Sequence, residues 1–361
     1  MASHAVDAAG GAPRRVGSFD VAKALAMVAV IAGHTALRFL PDASASATVA
    51  LAFSFHMPLF FVVSGYFMRA DGSLRLGRDA HSLLVPYFVT ALAVTAGLCA
   101  SNLVLHDLGS TRELLLTWLN ASVFAQGDMT AHPLWPQTAR IGAIWFLWAL
   151  FWARLEATLL ARLPRGARAP AALLGFLAAM VSSDHVFLPL SVQPGICAAP
   201  FVCFGQWLRE GDRLEGLASH RASLVPLALV WAWAVASYAG FGMAVCDYGL
   251  TVVAVVRNVA GGVAGTLCVL CACRWLEGRV GESRAWGLAA RMGRITLPVL
   301  CVHLFEDNVV RWVPLVEGWN ALFPAPGSWA VVCAARVVAD FALAWAVDRA
   351  VGAARGGGRR D

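Results

Sequence analysis

The feature that most constrains this fold is a series of long apolar segments covering almost the whole chain. Hydrophobic residues make up 59% of the 361 residues and charged residues only 14%. Soluble domains have roughly 45–50% apolar and about 25% charged residues. A helix needs about 20 apolar residues to span a bilayer. Because such spans use nearly all of the chain, the sequence predicts an all-α, polytopic integral membrane bundle and excludes a large soluble domain.

Ten apolar segments are interpreted as transmembrane helices, because a helix satisfies its own backbone polar groups in lipid. The second segment is expected to be interrupted by Pro58. A segment at 1–18 precedes the predicted transmembrane domain at 19–348, and a basic tail at 349–361 follows it. The predicted spans are residues 19–40, 48–68, 82–105, 140–161, 169–183, 192–208, 222–243, 249–273, 293–311 and 327–348.

Arginine is distributed unevenly between the predicted loops. The two termini and the loops on their side carry 21 arginines, and the alternate loops carry 4. Because cytoplasmic loops are enriched in Lys and Arg, the sequence predicts that both termini are cytoplasmic. The net charge is +6, but the basic residues form no long run. No nucleic-acid partner is therefore expected.

One predicted external loop, residues 106–139, is long and includes an amphipathic stretch at 111–119. Loops of this length are uncommon unless they are functional. The loop is therefore a candidate lid or acceptor-binding element.

The first span carries Asp20, Lys23 and His34, although ionisable groups inside a membrane are costly. His34 follows Lys23, the one lysine of the chain, by eleven residues. Eleven residues make about three helical turns, so the two side chains share a face and lie about 16 Å apart along the axis. In the alternative interpretation, Lys23 extends to the membrane surface and His34 pairs with a neighbouring helix.

Two further histidines, His56 and His303, lie within predicted spans. His56 is roughly 12 Å from the outer end of its span, and His303 is roughly 15 Å from the inner end of its span. Imidazole titrates near neutral pH, so a cluster with His34 suits proton abstraction or relay. The predicted catalytic residues are these three histidines. Glu306 and Asp307 follow His303 by one turn and either orient a histidine, bind acceptor hydroxyls or form a solvated helix end.

Two arginines also lie inside predicted spans. Arg257 either contacts an anionic or sugar-bearing ligand or pairs with an acid such as Asp247 or Asp340. Arg336 and Asp340 are spaced i, i+4 and are predicted to pair with each other.

Four segments resemble motifs of the membrane-bound acyltransferase family 3, which includes bacterial O-acetyltransferases of surface polysaccharides and exopolysaccharides. The resemblance covers about residues 18–350. In the fourth segment Thr296 replaces a serine, and Leu300 and Cys301 stand around the position of a family tyrosine. The segments are FDVAKALAMVAVIAGHT (19–35), SFHMPLFFVVSGYFMR (54–69), AIWFLWALFWARL (143–155) and MGRITLPVLCVHLF (292–305).

The resemblance implies an O-acyltransferase of the bacterial inner membrane. It would move an acetyl group from cytoplasmic acetyl-CoA to a hydroxyl of a cell-surface glycan, an exopolysaccharide or a lipid-linked sugar. His34 would serve as general base or transient acyl carrier. Lys23 would bind a CoA phosphate together with loop arginines, namely Arg69, Arg75 and Arg78.

The resemblance also implies contacts to the acceptor or to the oxyanion of the intermediate. The predicted substrate-binding residues are Asp20, Ser64, Tyr66, Arg257 and Glu306. The expected partners are acyl-CoA, the glycan acceptor and the lipid bilayer. No metal is expected, and a homo-oligomer is compatible with the sequence.

Two other functions use the same features. Intramembrane charges also suit a secondary transporter or flippase of a lipid-linked glycan, but such proteins have inverted repeats and paired broken helices that this sequence lacks. A non-catalytic membrane partner or sensor is the third alternative.

Overall fold

Helices account for most of the residues that the computed structural model describes, which are 17–40, 42–69 and 71–357. The prediction of an all-α membrane protein is confirmed. The predicted N-terminal segment lies outside the described residues up to residue 16, as do residues 358–361 of the predicted tail. The helices are α1 (Gly17–Leu37), α2 (Ala43–Phe67), α3 (Leu76–Leu105), α4 (Thr111–Phe124), α5 (Trp145–Leu160), α6 (Arg165–Ser183), α7 (Val192–Arg209), α8 (Arg213–Ser219), α9 (Leu224–Ala236), α10 (Val252–Val280), α11 (Arg284–Arg294), α12 (Thr296–Val309), α13 (Trp312–Leu322) and α14 (Trp329–Gly357).

Fewer helices than the ten predicted have the length and hydropathy of a membrane span. Within the described residues six do, namely α1, α2, α3, α6, α10 and α14, and the pair α11–α12, bent by 66°, would make a seventh. The other predicted spans also form helices, but α5 has 16 residues and α9 has 13. At about 1.5 Å per residue, α9 is shorter than the bilayer core of about 30 Å.

Helix α1 lies at the centre of the bundle, where it packs against α2, α10, α11, α12 and α14. Ala22 and Ala26 on its buried faces are fully enclosed, and small residues allow helices to approach closely. The Ser18 backbone N–H at its first turn donates to the Glu277 carboxylate over 3.0 Å, which satisfies one of the free amides of a helix start. Of the ionisable residues of α1, Asp20 is buried, and Lys23 and His34 are half-buried.

The outer helices present apolar side chains outward. Val89, Leu92, Leu174, Leu229 and Val338, on α3, α6, α9 and α14, are each more than half exposed. An apolar surface of this extent is typical of a membrane-facing protein.

The predicted interruption of the second span at Pro58 is wrong, because α2 runs without a break from Ala43 to Phe67. Proline removes one backbone hydrogen bond and crowds the preceding turn. Here Gly262 of α10 packs over the proline ring, and a Cβ at that position would lie 2.8 Å from Pro58 Cγ. The bare backbone of α10 leaves room for the proline within a continuous helix.

Helices α2 and α7 cross at two glycines. A Cβ on Gly65 would overlap the Val202 carbonyl oxygen, and a Cβ on Gly205 would overlap the Val62 carbonyl oxygen. Because each obstacle is helix backbone, a side chain at either glycine would push the two helices apart. Close contact through small residues is a common way to join membrane helices.

We predict that Gly205→Ala destabilises the protein by about 1–3 kcal/mol or more, since overpacking displaces backbone. Gly278→Ala is the matched control, because a Cβ added to this glycine of α10 would meet no atom within 4 Å. The control should be neutral or stabilising by about 0.5–1 kcal/mol. Thermal unfolding in detergent checks both variants, and equal midpoints for the two would contradict the packing described.

Candidate active site

A cavity of about 640 Å³ lies between α1, α2, α5 and α12, and α13 and the loop before α5 line one end of it. This volume is within the range of small-molecule sites, about 300–1,000 Å³. His34, His56 and His303 all line the cavity. The structure thus brings the three predicted histidines together, and their catalytic role stays a prediction.

Two of these histidines form a hydrogen-bonded chain with a buried aspartate. His34 Nδ1 lies 3.0 Å from His303 Nε2, and His303 Nδ1 lies 3.0 Å from Asp340 Oδ2. The Glu306 Oε1 atom is also 3.0 Å from His303 Nδ1. His303 and Asp340 are at most 1% exposed, so water does not compete for these contacts.

The hydrogen-bond partners define which nitrogen carries each proton. A carboxylate only accepts, so His303 Nδ1 carries a proton and donates to Asp340. When His303 is neutral, its Nε2 accepts a hydrogen bond from the Nδ1–H group of His34. His34 Nε2 is then left with a lone pair, as a general base or a nucleophile requires.

His56 contributes a second lone pair to the cavity. Its Nδ1 lies 2.7 Å from the Ala52 carbonyl oxygen, and because a carbonyl only accepts, Nδ1 is the protonated nitrogen. Nε2 of the neutral ring is then an acceptor. His56 is therefore suited to accept a hydrogen bond from a hydroxyl rather than to stabilise an oxyanion, which needs a donor.

The predicted pairing of Arg336 with Asp340 is wrong. The guanidinium of Arg336 bonds to Glu306 and Asp307 on α12 and donates to Thr35 Oγ1 over 3.0 Å. Asp340 instead accepts from His303. Spacing along α14 brings Arg336 and Asp340 near each other, but α12 offers two carboxylates in better positions.

The buried network has an excess of negative charge. Arg38 also pairs with Asp307, so the described network contains the carboxylates of Glu306, Asp307 and Asp340 and the guanidiniums of Arg38 and Arg336. Three negative and two positive groups give a formal charge of −1 while the imidazoles are neutral. One added proton would make the network formally neutral.

The same cluster offers three ligand atoms that a metal ion could use. One atom each from His303, Glu306 and Asp340 lies within 4.8 Å of the others. However, Arg336 bonds to Glu306 Oε1, the oxygen that also faces His303. A guanidinium on that oxygen would repel a cation, so the arrangement fits a proton better than a metal.

The opposite end of α1 carries a smaller charged group. Lys23 Nζ lies 2.8 Å from Asp20 Oδ1, and Arg294 approaches Asp20 Oδ2 to 4.0 Å. Met27, one turn after Lys23, is the first residue of α1 that lines the cavity. We call this region, Asp20, Lys23 and Arg294, the Lys23 end. It carries a formal charge of +1, opposite in sign to the histidine network.

The other predicted site residues lie outside the cavity. Ser64 and Tyr66 are in the last turn of α2, and the Tyr66 ring packs 4.5 Å from the Phe19 ring, next to the Lys23 end. Arg257 donates to the Ser237 carbonyl oxygen over 2.6 Å and pairs with neither Asp247 nor Asp340. The three arginines predicted to bind CoA are exposed and lie in or next to the connection between α2 and α3. They are Arg69, Arg75 and Arg78.

Sequence reasoning missed two contributors to the network. Asp340 was predicted as the partner of an arginine, although it lies against a histidine. Trp312 of α13 donates from Nε1 to Glu306 Oε2 over 2.6 Å, and the Arg336 guanidinium lies 4.6 Å from the centre of its ring. The His303–Asp340 contact joins two distant helices, and the Trp312–Glu306 contact crosses the break between α12 and α13, so helical spacing indicates neither.

A family model described as an acyltransferase domain, that of the acyltransferase 3 family, matches residues 16–347. The chain belongs to the acyltransferase 3 family. It is therefore a multi-pass membrane acyltransferase, with an acyl donor and an acyl acceptor as substrates. Comparisons with curated proteins and with solved structures gave no match.

We predict that Arg336→Met destabilises this acyltransferase by about 3–5 kcal/mol, because it leaves Glu306 and Asp307 buried without their main partner. Arg349→Met is the matched control on the same helix, since Arg349 is exposed and lies over Trp345. Thermal unfolding of the purified proteins measures the difference. Similar midpoints for the two variants would show that the buried ion pairs do not hold α12 and α14 together.

Proposed function

We propose that this acyltransferase moves an acetyl group from acetyl-CoA to a hydroxyl of a cell-surface glycan, an exopolysaccharide or a lipid-linked sugar. The proposal rests on the hydrogen-bonded series His34–His303–Asp340. This series begins at the cavity, and an acyltransferase has to bind both an acyl donor and an acceptor. A hydrogen-bonded base held by a second imidazole and a carboxylate is an arrangement that activates hydroxyl groups.

In the proposed reaction His34 is the general base. The acceptor hydroxyl forms a C–O bond to the thioester carbonyl carbon while its proton moves to His34 Nε2. The tetrahedral intermediate then collapses, the C–S bond breaks, and the CoA thiolate takes the proton from His34. The products are an O-acetyl ester and CoA-SH, so atoms and charge balance over the cycle.

The relay behind His34 makes the proton transfer feasible in an apolar setting. A buried imidazolium loses its hydration and needs a compensating charge. His34 Nδ1–H donates to His303, which Asp340 and Glu306 hold from the other side. The excess negative charge of the network therefore stabilises the positive charge that appears when His34 receives the proton.

The Lys23 end is the proposed entrance for the acyl donor. CoA carries several phosphate charges, which Lys23 and Arg294 can attract, and the cavity begins one turn further along α1. The distance of about 16 Å from Lys23 to His34 suits an extended arm that carries the thioester inward. The arginine excess on this side of the predicted loops supports a cytoplasmic entrance in an inner membrane.

We predict that His34→Gln lowers CoA-SH release and acetyl transfer at least about 100-fold, the effect typical of losing a general base. Asp340→Asn should cost about as much, because an amide does not stabilise the imidazolium. Asp348→Asn on the same helix and His81→Gln, both exposed, are the matched controls. Purified protein in nanodiscs with acetyl-CoA gives the rates, and a folded His34→Gln protein with full activity would refute the role of His34.

We further predict that Lys23→Gln raises the KM for acetyl-CoA about 10-fold, the equivalent of about 1.4 kcal/mol, with little change in kcat. The same kinetics performed with dephospho-CoA thioesters show whether a phosphate is the partner. A lower kcat at unchanged KM would move Lys23 from the donor entrance into the chemistry.

A further inference from the structure

Polar side chains from the loop before α5 and from α13 also line the cavity, and of these only Asp128 lies in the segment 106–139 that the sequence predicted as a lid or acceptor-binding element. Asp128 and Arg140 come from the loop between α4 and α5, and Glu317 and Asn320 come from α13. We call these four residues the mouth. Asn308 of α12 also lines the cavity, about one turn before α13 begins.

Helix α13 presents one face to this cavity. Val313, Val316, Glu317 and Asn320 all line it, and their spacing of three or four residues places them on one side of a helix. Val316 is also buried in a small cluster with Ala36 and others at the C-terminal end of α1. The polar part of this face, Glu317 and Asn320, is exposed and available to a ligand.

Two contacts fix α13 relative to the histidine network. Arg311, just before α13, forms two hydrogen bonds to Asp107 after α3, of 2.7 and 3.0 Å. This pairing lowers the pKa of the Asp107 carboxyl. Trp312, the first residue of α13, donates to Glu306. The α13 part of the mouth is therefore anchored next to Glu306 and thus to His303, as positioning of a substrate requires.

The charges of the mouth favour an uncharged ligand. Arg140 pairs with Asp128 and Arg38 pairs with Asp307, so both nearby guanidiniums are already neutralised. Glu317 adds one carboxylate that no described ion pair compensates. A negatively charged ligand would thus meet net repulsion on its way to His34, whereas carboxylate, amide and guanidinium groups together can bind several hydroxyls.

Arg38 supplies a further indication that a polar ligand belongs here. Its Nε atom is buried and has no hydrogen-bond partner within the described residues, although buried donors are normally satisfied. Arg38 lines the cavity one turn after His34 and pairs with Asp307, so this donor lies beside the histidine network.

We propose that the mouth is the acceptor subsite and that it selects uncharged sugar residues over anionic ones. The inference rests on the proposed function and adds the substrate class to it. Asn320 and Glu317 bind ring hydroxyls, and the surplus carboxylate excludes sugars that carry a carboxylate or phosphate of their own. A hydroxyl of the bound sugar is then directed toward His34 Nε2.

The test uses three defined acceptors with wild-type protein in nanodiscs: octyl glucoside, octyl glucuronide and 1-octanol. Each acceptor is incubated with the protein and acetyl-CoA, and the amounts of acetylated acceptor and of CoA-SH are both measured. We expect wild-type protein to acetylate the glucoside at least about 10-fold faster than the glucuronide. Equal rates for these two sugars would overturn the selection by charge without any variant being needed.

Two variants then test the residues themselves. Asn320→Ala should lower the ratio of glucoside to octanol acetylation about 10-fold, the effect of one lost hydrogen bond to a hydroxyl. Glu317→Gln should lower the preference for glucoside over glucuronide at least about 5-fold. Glu282→Gln is the matched control, because Glu282 is exposed between α10 and α11 and does not line the cavity.

The outcomes separate this inference from the proposed function. If wild-type protein acetylates no acceptor and releases no CoA-SH, the proposed function fails and the subsite fails with it. If wild-type protein is active but both variants keep the ratios of Glu282→Gln, the mouth is not the acceptor subsite and the proposed function stands.

Discussion

The fold depends on the ion pairs that Arg336 makes inside the bundle. A charged group in a membrane interior is tolerated only with partners. Arg336 forms ion pairs with Glu306 and Asp307 of α12 and donates a hydrogen bond to Thr35 of α1. Three central helices are thereby joined at one depth. His303 then lies between the carboxylates of α12 and α14, and it holds His34 by a hydrogen bond. The same charges that hold the helices together are those that can accept a proton.

Sequence reasoning predicted the features that depend on local pattern. Apolar segments indicated the helices, and helical spacing placed Lys23 and His34 on one side of α1, which the unbroken helix permits. The convergence of His34, His56 and His303 followed from depth in the membrane. The number of spans was overestimated, because apolar content does not distinguish a helix that crosses a bilayer from a shorter helix buried among others, such as α5.

Features that depend on the choice between partners were not predictable from spacing. The i, i+4 rule allowed Arg336 and Asp340 to pair, but only the fold shows that α12 supplies closer carboxylates. Glu317 and Asn320 look like solvated residues of a surface helix in the sequence. They become candidate ligands because α13 folds back over the cavity, and this depends on long-range contacts such as Asp107 with Arg311. Pro58 likewise required knowledge of the glycine opposite it.

We propose that His34 and Asp340 act as one unit through His303. A double-mutant cycle measures this coupling directly, using acetyl transfer by wild-type protein, His34→Gln, Asp340→Asn and the double variant. Residues that act as a unit give strongly non-additive losses. We predict that the double variant is no slower than the slower single variant. Losses that multiply in the double variant would show two independent contributions and would contradict the relay.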